Sequence, residues 1–129
     1  MIYGIGTDIV QVNRLQTSLE KHGERFAQRI LSDNEYQEFL QKNDAAHFLA
    51  KRFAAKEAAA KAFGTGFRQG LSLKHIEVKN TEHGRPDLVF RERAQELVAE
   101  FNISHTYISI ADEREYAIAY VIMTTKGLQ

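Results

Sequence analysis

The sequence predicts an α+β domain in which a mainly antiparallel sheet packs against one long central helix. Residues 48–66, FLAKRFAAKEAAAKAFGTG, are rich in strong helix formers and predict that helix. Residues 2–10 alternate along a run rich in Ile, Val and Thr and predict a first strand. Residues 106–111 and 116–123 alternate around the charged turn DERE, which predicts a closing hairpin.

The first strand carries two features that are unusual for a strand, and both lie on one face. Gly4, Gly6 and Asp8 share that face because side chains alternate along a strand. Glycine weakens a strand unless another group approaches its backbone closely. A carboxylate in such a place must be hydrogen-bonded, paired or bound to a cation. The alternative is that Asp8 caps the next helix.

Two helices are predicted between the first strand and the central helix. Residues 13–22 have helical spacing, with Asn13 as a cap and Gly23 as the terminator. Ser32 and Glu35 have the spacing of a capping box and predict a short helix. Asp44 is positioned to cap the central helix. The side chains expected to face inward from the short helix are Tyr36, Phe39 and Leu40.

The central helix mixes charge with its apolar stripe. An advance of about 100° per residue places Lys56 inside the stripe and Glu57 on its edge. Such a conflict between pattern and chemistry tends to mark a functional site. The alternative is that the lysine stems snorkel to solvent and Glu57 pairs with Lys61 one turn later. The stripe residues expected to face the core are Leu49, Phe53, Ala60 and Phe63.

The elements after the central helix follow from turn signals. Residues 75–79 and 87–90 predict two strands joined by the turn at residues 83–86. Residues 91–101 are amphipathic and predict a last helix. Between the central helix and the first of these strands, three glycines allow backbone N–H groups to turn toward an anion. These glycines are Gly64, Gly66 and Gly70.

Composition limits the classes of function. At 129 residues the chain is expected to form one domain, residues 1–129. It has no cysteine, so any metal must be held by oxygen or imidazole, which favours a hard cation. Its 17 basic residues balance 17 acidic ones, so net charge argues for neither nucleic acid nor membrane as a partner. With no long apolar run and no basic leader, a cytoplasmic protein is expected.

A basic stripe follows the first strand. Arg14, Lys21, Arg25 and Arg29 recur at helical intervals, a pattern that is usually a solvated face and otherwise a docking surface. The five histidines are scattered without metal-ligand spacing, and none is assigned to catalysis.

Several motifs together resemble a known family. They are Gly4-x-Gly6-Thr7-Asp8-Ile9, Phe53-Ala-x-Lys56-Glu57-Ala-x-x-Lys61-Ala62-x-Gly64-Thr65-Gly66, Gly84-x-Pro86 and Tyr116-Ala117-x-Ala119. This combination is similar to the small 4′-phosphopantetheinyl transferases, in particular the holo-acyl-carrier-protein synthase group. The resemblance covers nearly the whole chain.

The resemblance implies the corresponding fold and a Mg²⁺-dependent transfer of the phosphopantetheine arm of coenzyme A to a serine of apo acyl carrier protein. It implies that Asp8 and Glu57 hold the metal and that Lys61 lies near the phosphates. Arg14 would dock the carrier protein, with Lys21 and Arg25 in the same basic stripe. It further implies a homotrimer. The residues implied along the coenzyme are Gly64, Thr65, Gly66 and Pro86.

One position departs from the family pattern, and three questions stay open. Asp112 stands where many relatives have a histidine, so a role credited to that histidine is not carried over. Either Glu57 or a metal-bound water would take the serine proton. A metal-dependent hydrolase of coenzyme A or a related nucleotide would use the same carboxylates with water as nucleophile. A non-catalytic carrier-binding module would need the basic stripe but not Asp8 or Glu57.

Overall fold

The computed structural model describes residues 1–126. In chain order the strands are β1 (Ile2–Gln11), β2 (Ile76–Asn80), β3 (Pro86–Phe90), β4 (Ile103–Asp112) and β5 (Tyr116–Thr125). The helices are α1 (Val12–His22), α2 (Glu24–Ile30), α3 (Asp33–Leu40), α4 (Ala45–Phe63) and α5 (Glu92–Glu100). A short 3₁₀ turn, Leu73–His75, precedes β2.

The strands form two antiparallel sheets. The larger sheet has the order β1-β5-β4, so that the last strand lies between the first strand and β4. Its register places Asp8 opposite Ala119 and Gly6 opposite Val121. The smaller sheet pairs β2 with β3. These pairings and the helix that packs on them confirm the predicted α+β class.

The inner face of β1 is the predicted one. Gly6 and Val10 are buried, whereas Ile5 and Ile9 on the opposite face are 52% and 64% exposed. Helix α4 lies directly against this inner face, because a Cβ added at Gly4 would lie 1.9 Å from the Ala62 carbonyl oxygen. At Gly6 the corresponding distance to the Ala58 carbonyl oxygen is 1.8 Å. Both glycines therefore serve the close backbone approach that the sequence predicted.

Helix α4 is buried on several sides, whereas a helix with a single apolar stripe would be buried on one. It contacts both β1 and β5 on one side and α1 and β2 on others. Its many alanines permit this because a short side chain lets neighbours approach the helix closely. Leu49 and Phe63 are buried as predicted, and Phe53 is partly buried.

Most of the predicted helix ends are confirmed. Gly23 and Gly64 adopt positive φ at helix C-termini, at 66° and 85°. Ser32 and Glu35 form the capping box, and the Asp44 side chain accepts from the His47 N–H. The central helix begins at Ala45, directly after its predicted cap.

Three local predictions are wrong. Asn13 does not cap α1, because the helix begins one residue earlier and Gln11 occupies the N-cap without a side-chain bond. Leu40 is 49% exposed because α3 ends there and its last residue turns away from the core. His75 belongs to the 3₁₀ turn, so β2 starts at Ile76. Within residues 1–126, no helix combines the length and apolar character needed to cross a membrane.

Candidate active site

A cavity of about 470 Å³ lies between β1, α1, α2 and α4. The conflicting charges predicted from sequence meet here, because Asp8 comes from the inner face of β1 and Glu57 from the edge of α4. Arg14 and Arg29 lie at the same cavity. The rest of the lining is mostly apolar and includes Leu15, Phe26, Ile30, Phe53 and Leu73. The packing of α4 on β1 thus brings together two acids that are far apart in the chain.

Asp8 is ion-paired to a lysine from α4. The Lys61 Nζ donates to Asp8 Oδ1 at 2.9 Å and to the Thr7 carbonyl at 2.9 Å. The Asp8 side chain is 17% exposed and the Lys61 side chain 51%. This geometry rules out two alternatives from the sequence. Asp8 is not the cap of α1. Within residues 1–126, Lys61 forms its ion pair with Asp8 and not with Glu57.

Glu57 lies in a field that favours its neutral form. Burial raises the pKa of its carboxyl above the ordinary value, and the nearby Asp8 charge raises it further. Lys61 acts in the opposite direction and lowers that pKa. The charge on Asp8 therefore disfavours the ionised form of Glu57, and Lys61 offsets part of this effect.

The donor set fits a hard cation whose remaining ligands come from elsewhere. The described residues contain no group of three or more His, Asp or Glu side chains placed to hold a metal. Mg²⁺ is commonly bound through one or two carboxylates together with substrate phosphates and waters. Asp8 and Glu57 supply that number of carboxylates at one cavity, so they would hold Mg²⁺ in company with a phosphate-bearing substrate.

A buried ionic cluster lies next to Glu57. The sequence pattern placed Lys56 in the apolar stripe but did not predict its acidic partner. Lys56 is 0% exposed and its Nζ lies 2.7 Å from Glu35 Oε1, while Glu35 is also 0% exposed. Burial lowers the pKa of Lys56, and the Glu35 carboxylate opposes that shift. Arg52, 5% exposed, lies over the Phe48 ring at 4.6 Å. The snorkelling expected of the lysine stems does not occur at Lys56.

The predicted coenzyme residues lie outside the cavity that holds the two acids. Gly64, Gly66 and Gly70 all have positive φ, as a loop that turns its N–H groups would need. Thr65 is 9% exposed and its hydroxyl donates to the Gly66 carbonyl at 2.7 Å. Pro86 lines a separate cavity beside β4.

The predicted basic stripe divides in the structure. Arg14 lies at the cavity, whereas Lys21 and Arg25 are exposed and do not line it. Arg29, which the sequence placed only in the stripe, does line it. The helical spacing of the stripe was the sequence signal for Arg29. The break at Gly23 between α1 and α2 separates it from Arg14, so the packing of the two helices decided that both arginines line the cavity.

A family model described as the 4′-phosphopantetheinyl transferase superfamily matches residues 4–121. The chain belongs to this superfamily. The transferase is 54% identical over 123 residues to the holo-[acyl-carrier-protein] synthase of Nitrosococcus oceani, covering 95% of this chain and 80% of the relative.

Solved structures agree with the transferase fold. The holo-[acyl-carrier-protein] synthase from Neisseria meningitidis has a TM-score of 0.92 and 41% identity, covering 97% of this chain and 100% of that one. The enzyme from Bacillus anthracis, in complex with CoA (3′,5′-ADP), has a TM-score of 0.81 and 35% identity, covering 98% and 99%. The predicted family and fold class are confirmed.

This transferase pairs Asp112, its departure from the family pattern, with a histidine from another element. The His47 Nε2 lies 3.1 Å from Asp112 Oδ2 and 2.7 Å from the Glu113 carbonyl oxygen. The His47 Nδ1 lies 3.3 Å from Asp44 Oδ2. The side chain at position 112 is therefore engaged in joining the β4–β5 turn to the start of α4.

Proposed function

We propose that this protein transfers the 4′-phosphopantetheine arm of coenzyme A to a serine of apo acyl carrier protein and releases adenosine 3′,5′-bisphosphate. The observation that carries the proposal is that Asp8 and Glu57 line one cavity and that Lys61 pairs with Asp8. Membership of the transferase superfamily and the CoA complex of the Bacillus anthracis relative support the substrate class.

The proposal includes Mg²⁺ as the metal, with Asp8 and Glu57 as its protein ligands. When bound, the ion supplies positive charge for the pyrophosphate and for the leaving bisphosphate. Lys61 adds a second, flexible positive charge beside Asp8. Glu57, at the same cavity, would accept the proton of the attacking serine hydroxyl unless a metal-bound water does so.

The coenzyme would lie along the loop that follows α4. We propose contacts with Gly64, Thr65 and Gly66, whose positive-φ glycines allow N–H groups to face phosphate, and with Pro86 at the start of β3. Lys61 is in the last turn of α4, directly before this loop, and it pairs with Asp8, so one substrate would span both regions. A cytoplasmic location remains a prediction.

The apolar and basic part of the cavity suits an acidic carrier protein. Phe26, Phe53 and Leu73 provide apolar surface, and Arg14 and Arg29 provide positive charge beside it. We propose this wall, extended by the exposed Lys21 and Arg25, as the carrier-docking surface. Charge complementarity of this kind mainly steers association and sets its salt dependence.

Reversing two of these charges tests the docking surface. The double variant Arg14→Glu/Arg25→Glu is expected to raise KM for the carrier about tenfold at low salt, because attraction becomes repulsion. The salt dependence of that KM should flatten, and KM for coenzyme A should stay near the wild-type value. Lys79→Glu, an exposed reversal on β2, is the control. An unchanged KM for the carrier would show that the basic stripe is an ordinary solvated face and not a docking surface.

The outer face of the larger sheet supports the predicted homotrimer. Ile9 and Ile118, directly opposite each other in the register, are 64% and 42% exposed. Tyr107 and Tyr120 on the same sheet are 47% and 44% exposed. A contiguous apolar face of this kind marks an interaction surface. We propose that other copies of the chain cover it, as the family resemblance implies.

A charge at the middle of this face is expected to break the assembly. Ile118→Glu places a carboxylate on the central strand, between Ile9 and Ala111, where burial against another copy would be costly. Light scattering at micromolar concentration should give a trimer mass for the wild type and a smaller mass for the variant. Gln95→Glu on the exposed side of α5 should keep the wild-type mass. A wild-type monomer would reject the trimer.

One experiment separates the proposed function from its alternatives. The protein is mixed with coenzyme A, Mg²⁺ and an apo carrier, and the carrier is weighed by mass spectrometry. A transferase adds the phosphopantetheine mass to the carrier. A hydrolase consumes coenzyme A without a carrier, and a binding module leaves both substrates unchanged.

A further inference from the structure

The ammonium group of Lys56 is buried one residue before Glu57. Its Nζ donates to Glu35 Oε1 at 2.7 Å, to the Leu73 carbonyl at 3.0 Å and to the Ile76 carbonyl. An ammonium has three N–H donors, so these acceptors satisfy all of them. The side chain is therefore fixed in one position.

The three acceptors belong to three different segments. Glu35 lies in α3, Leu73 lies in the 3₁₀ turn, and Ile76 begins β2. The Leu73 side chain also lines the cavity that contains Glu57. Lys56 consequently ties one wall of that cavity to the helix that carries Glu57.

Neutralising Glu35 does not by itself require Lys56. The Glu35 carboxylate also accepts from the Ser32 N–H at 2.9 Å and the Val78 N–H at 2.8 Å, and Arg52 Nε lies 3.7 Å from it. Buried ion pairs are often no more stabilising than apolar residues of the same volume. Lys56 differs from Arg52 in one respect that matters here: it donates hydrogen bonds to the backbone carbonyls of Leu73 and Ile76.

We propose that Lys56 is a positioning residue that fixes the Leu73 wall relative to Glu57 and so sets the shape of the carrier side of the cavity. This inference rests on the proposed function. Lys56 itself touches no reacting atom. The two bonds from Lys56 to the Leu73 and Ile76 carbonyls form a tether between α4 and residues 73–76. These residues follow the glycine loop at residues 64–70, so the tether also limits how far the C-terminal end of that loop can move from α4.

A matched pair of variants tests the tether. Lys56→Met and Arg52→Met each remove one buried positive charge near Glu35 and leave an unbranched apolar chain, but only Lys56→Met releases the two carbonyls. We expect Lys56→Met to raise KM for the apo carrier about tenfold, as for other supports of a functional site. KM for coenzyme A should change less than about twofold, and Arg52→Met should leave both constants near wild type. Partial unfolding would lower kcat without raising KM.

Hydrogen exchange in the absence of substrates gives an independent readout. The amides of residues 71–76 should exchange faster in Lys56→Met than in the wild type and Arg52→Met. If the wild type transfers nothing, the proposed function fails while exchange still tests the tether. If the two variants show the same exchange and the same carrier KM, the positioning role is wrong.

Lys56→Gln is a second variant at the same position, for use if Lys56→Met does not fold. Its shorter side chain keeps a polar donor but cannot reach both carbonyls, so it should also raise the carrier KM. If neither variant at position 56 folds while Arg52→Met does, Lys56 is required for the fold itself and the proposal is overturned.

Discussion

Replacing Asp8 by Asn or Glu57 by Gln is expected to lower the transfer rate about 100-fold or more, because each change removes one carboxylate from a two-carboxylate site. Both substitutions keep side-chain size, so the cavity keeps its shape. Steady-state transfer to the apo carrier at saturating Mg²⁺ measures the loss. The Mg²⁺-induced rise in melting temperature should disappear in the same variants, since the ion stabilises the fold through binding.

The double variant distinguishes a shared ion from two independent roles. Because both carboxylates act through one site, Asp8→Asn/Glu57→Gln should be scarcely slower than either single variant. Glu96→Gln, which removes an exposed carboxylate on α5 far from the cavity, is the control and should stay active. Losses that multiply in the double variant, or a single variant with near wild-type rate, would contradict the shared site.

Glu57→Gln should also change stability in a pH-dependent way. The folded pKa of Glu57 is raised, so its neutral form is favoured and its ionised form costs stability at neutral pH. Without Mg²⁺, the variant should therefore melt higher than the wild type at pH 7. The difference should vanish below the ordinary glutamate value of 4.5, where the carboxyl is protonated in both folded and unfolded states. Thermal melts across this range provide the measurement.

Gly6→Ala is expected to destabilise the fold by about 3 kcal/mol or more, at the upper end of overpacking effects. The added Cβ would lie 1.8 Å from the Ala58 carbonyl oxygen and 2.7 Å from the Ala62 nitrogen. These are backbone atoms of α4, so no side chain can rotate to make room. The melting temperature should fall by roughly 10 °C or more.

Activity should fall with stability in Gly6→Ala, because the helix that carries Glu57 must move away from the strand that carries Asp8. Misplacing reactive groups by about 1 Å can cost about 100-fold in rate. A Gly6→Ala protein with wild-type melting temperature would show that α4 does not approach β1 this closely.

The charged residues separate what sequence patterns could predict from what they could not. Local patterns placed Asp8 on a strand face cleared by glycine and Glu57 on a helix edge, and the family resemblance joined the two at one metal site. The partner of Lys61 did not follow, because its pair with Asp8 joins residues 53 apart in the chain. The local pattern offered Glu57, four residues earlier, as the partner of Lys61. In the structure Lys61 pairs with Asp8 instead.

The sequence by itself determined the presence and order of the five strands, most of the helix ends and the inner face of β1. Alternation, capping by Ser32 and Asp44, and positive-φ glycines act over a few residues, so the physics that fixes them is visible in the chain. Only the tertiary structure decided that Lys56 is buried against Glu35 and that Arg29 joins Arg14 at the cavity. Those outcomes depend on how α2, α3 and α4 pack together, because a charge is buried or exposed according to which distant groups surround it.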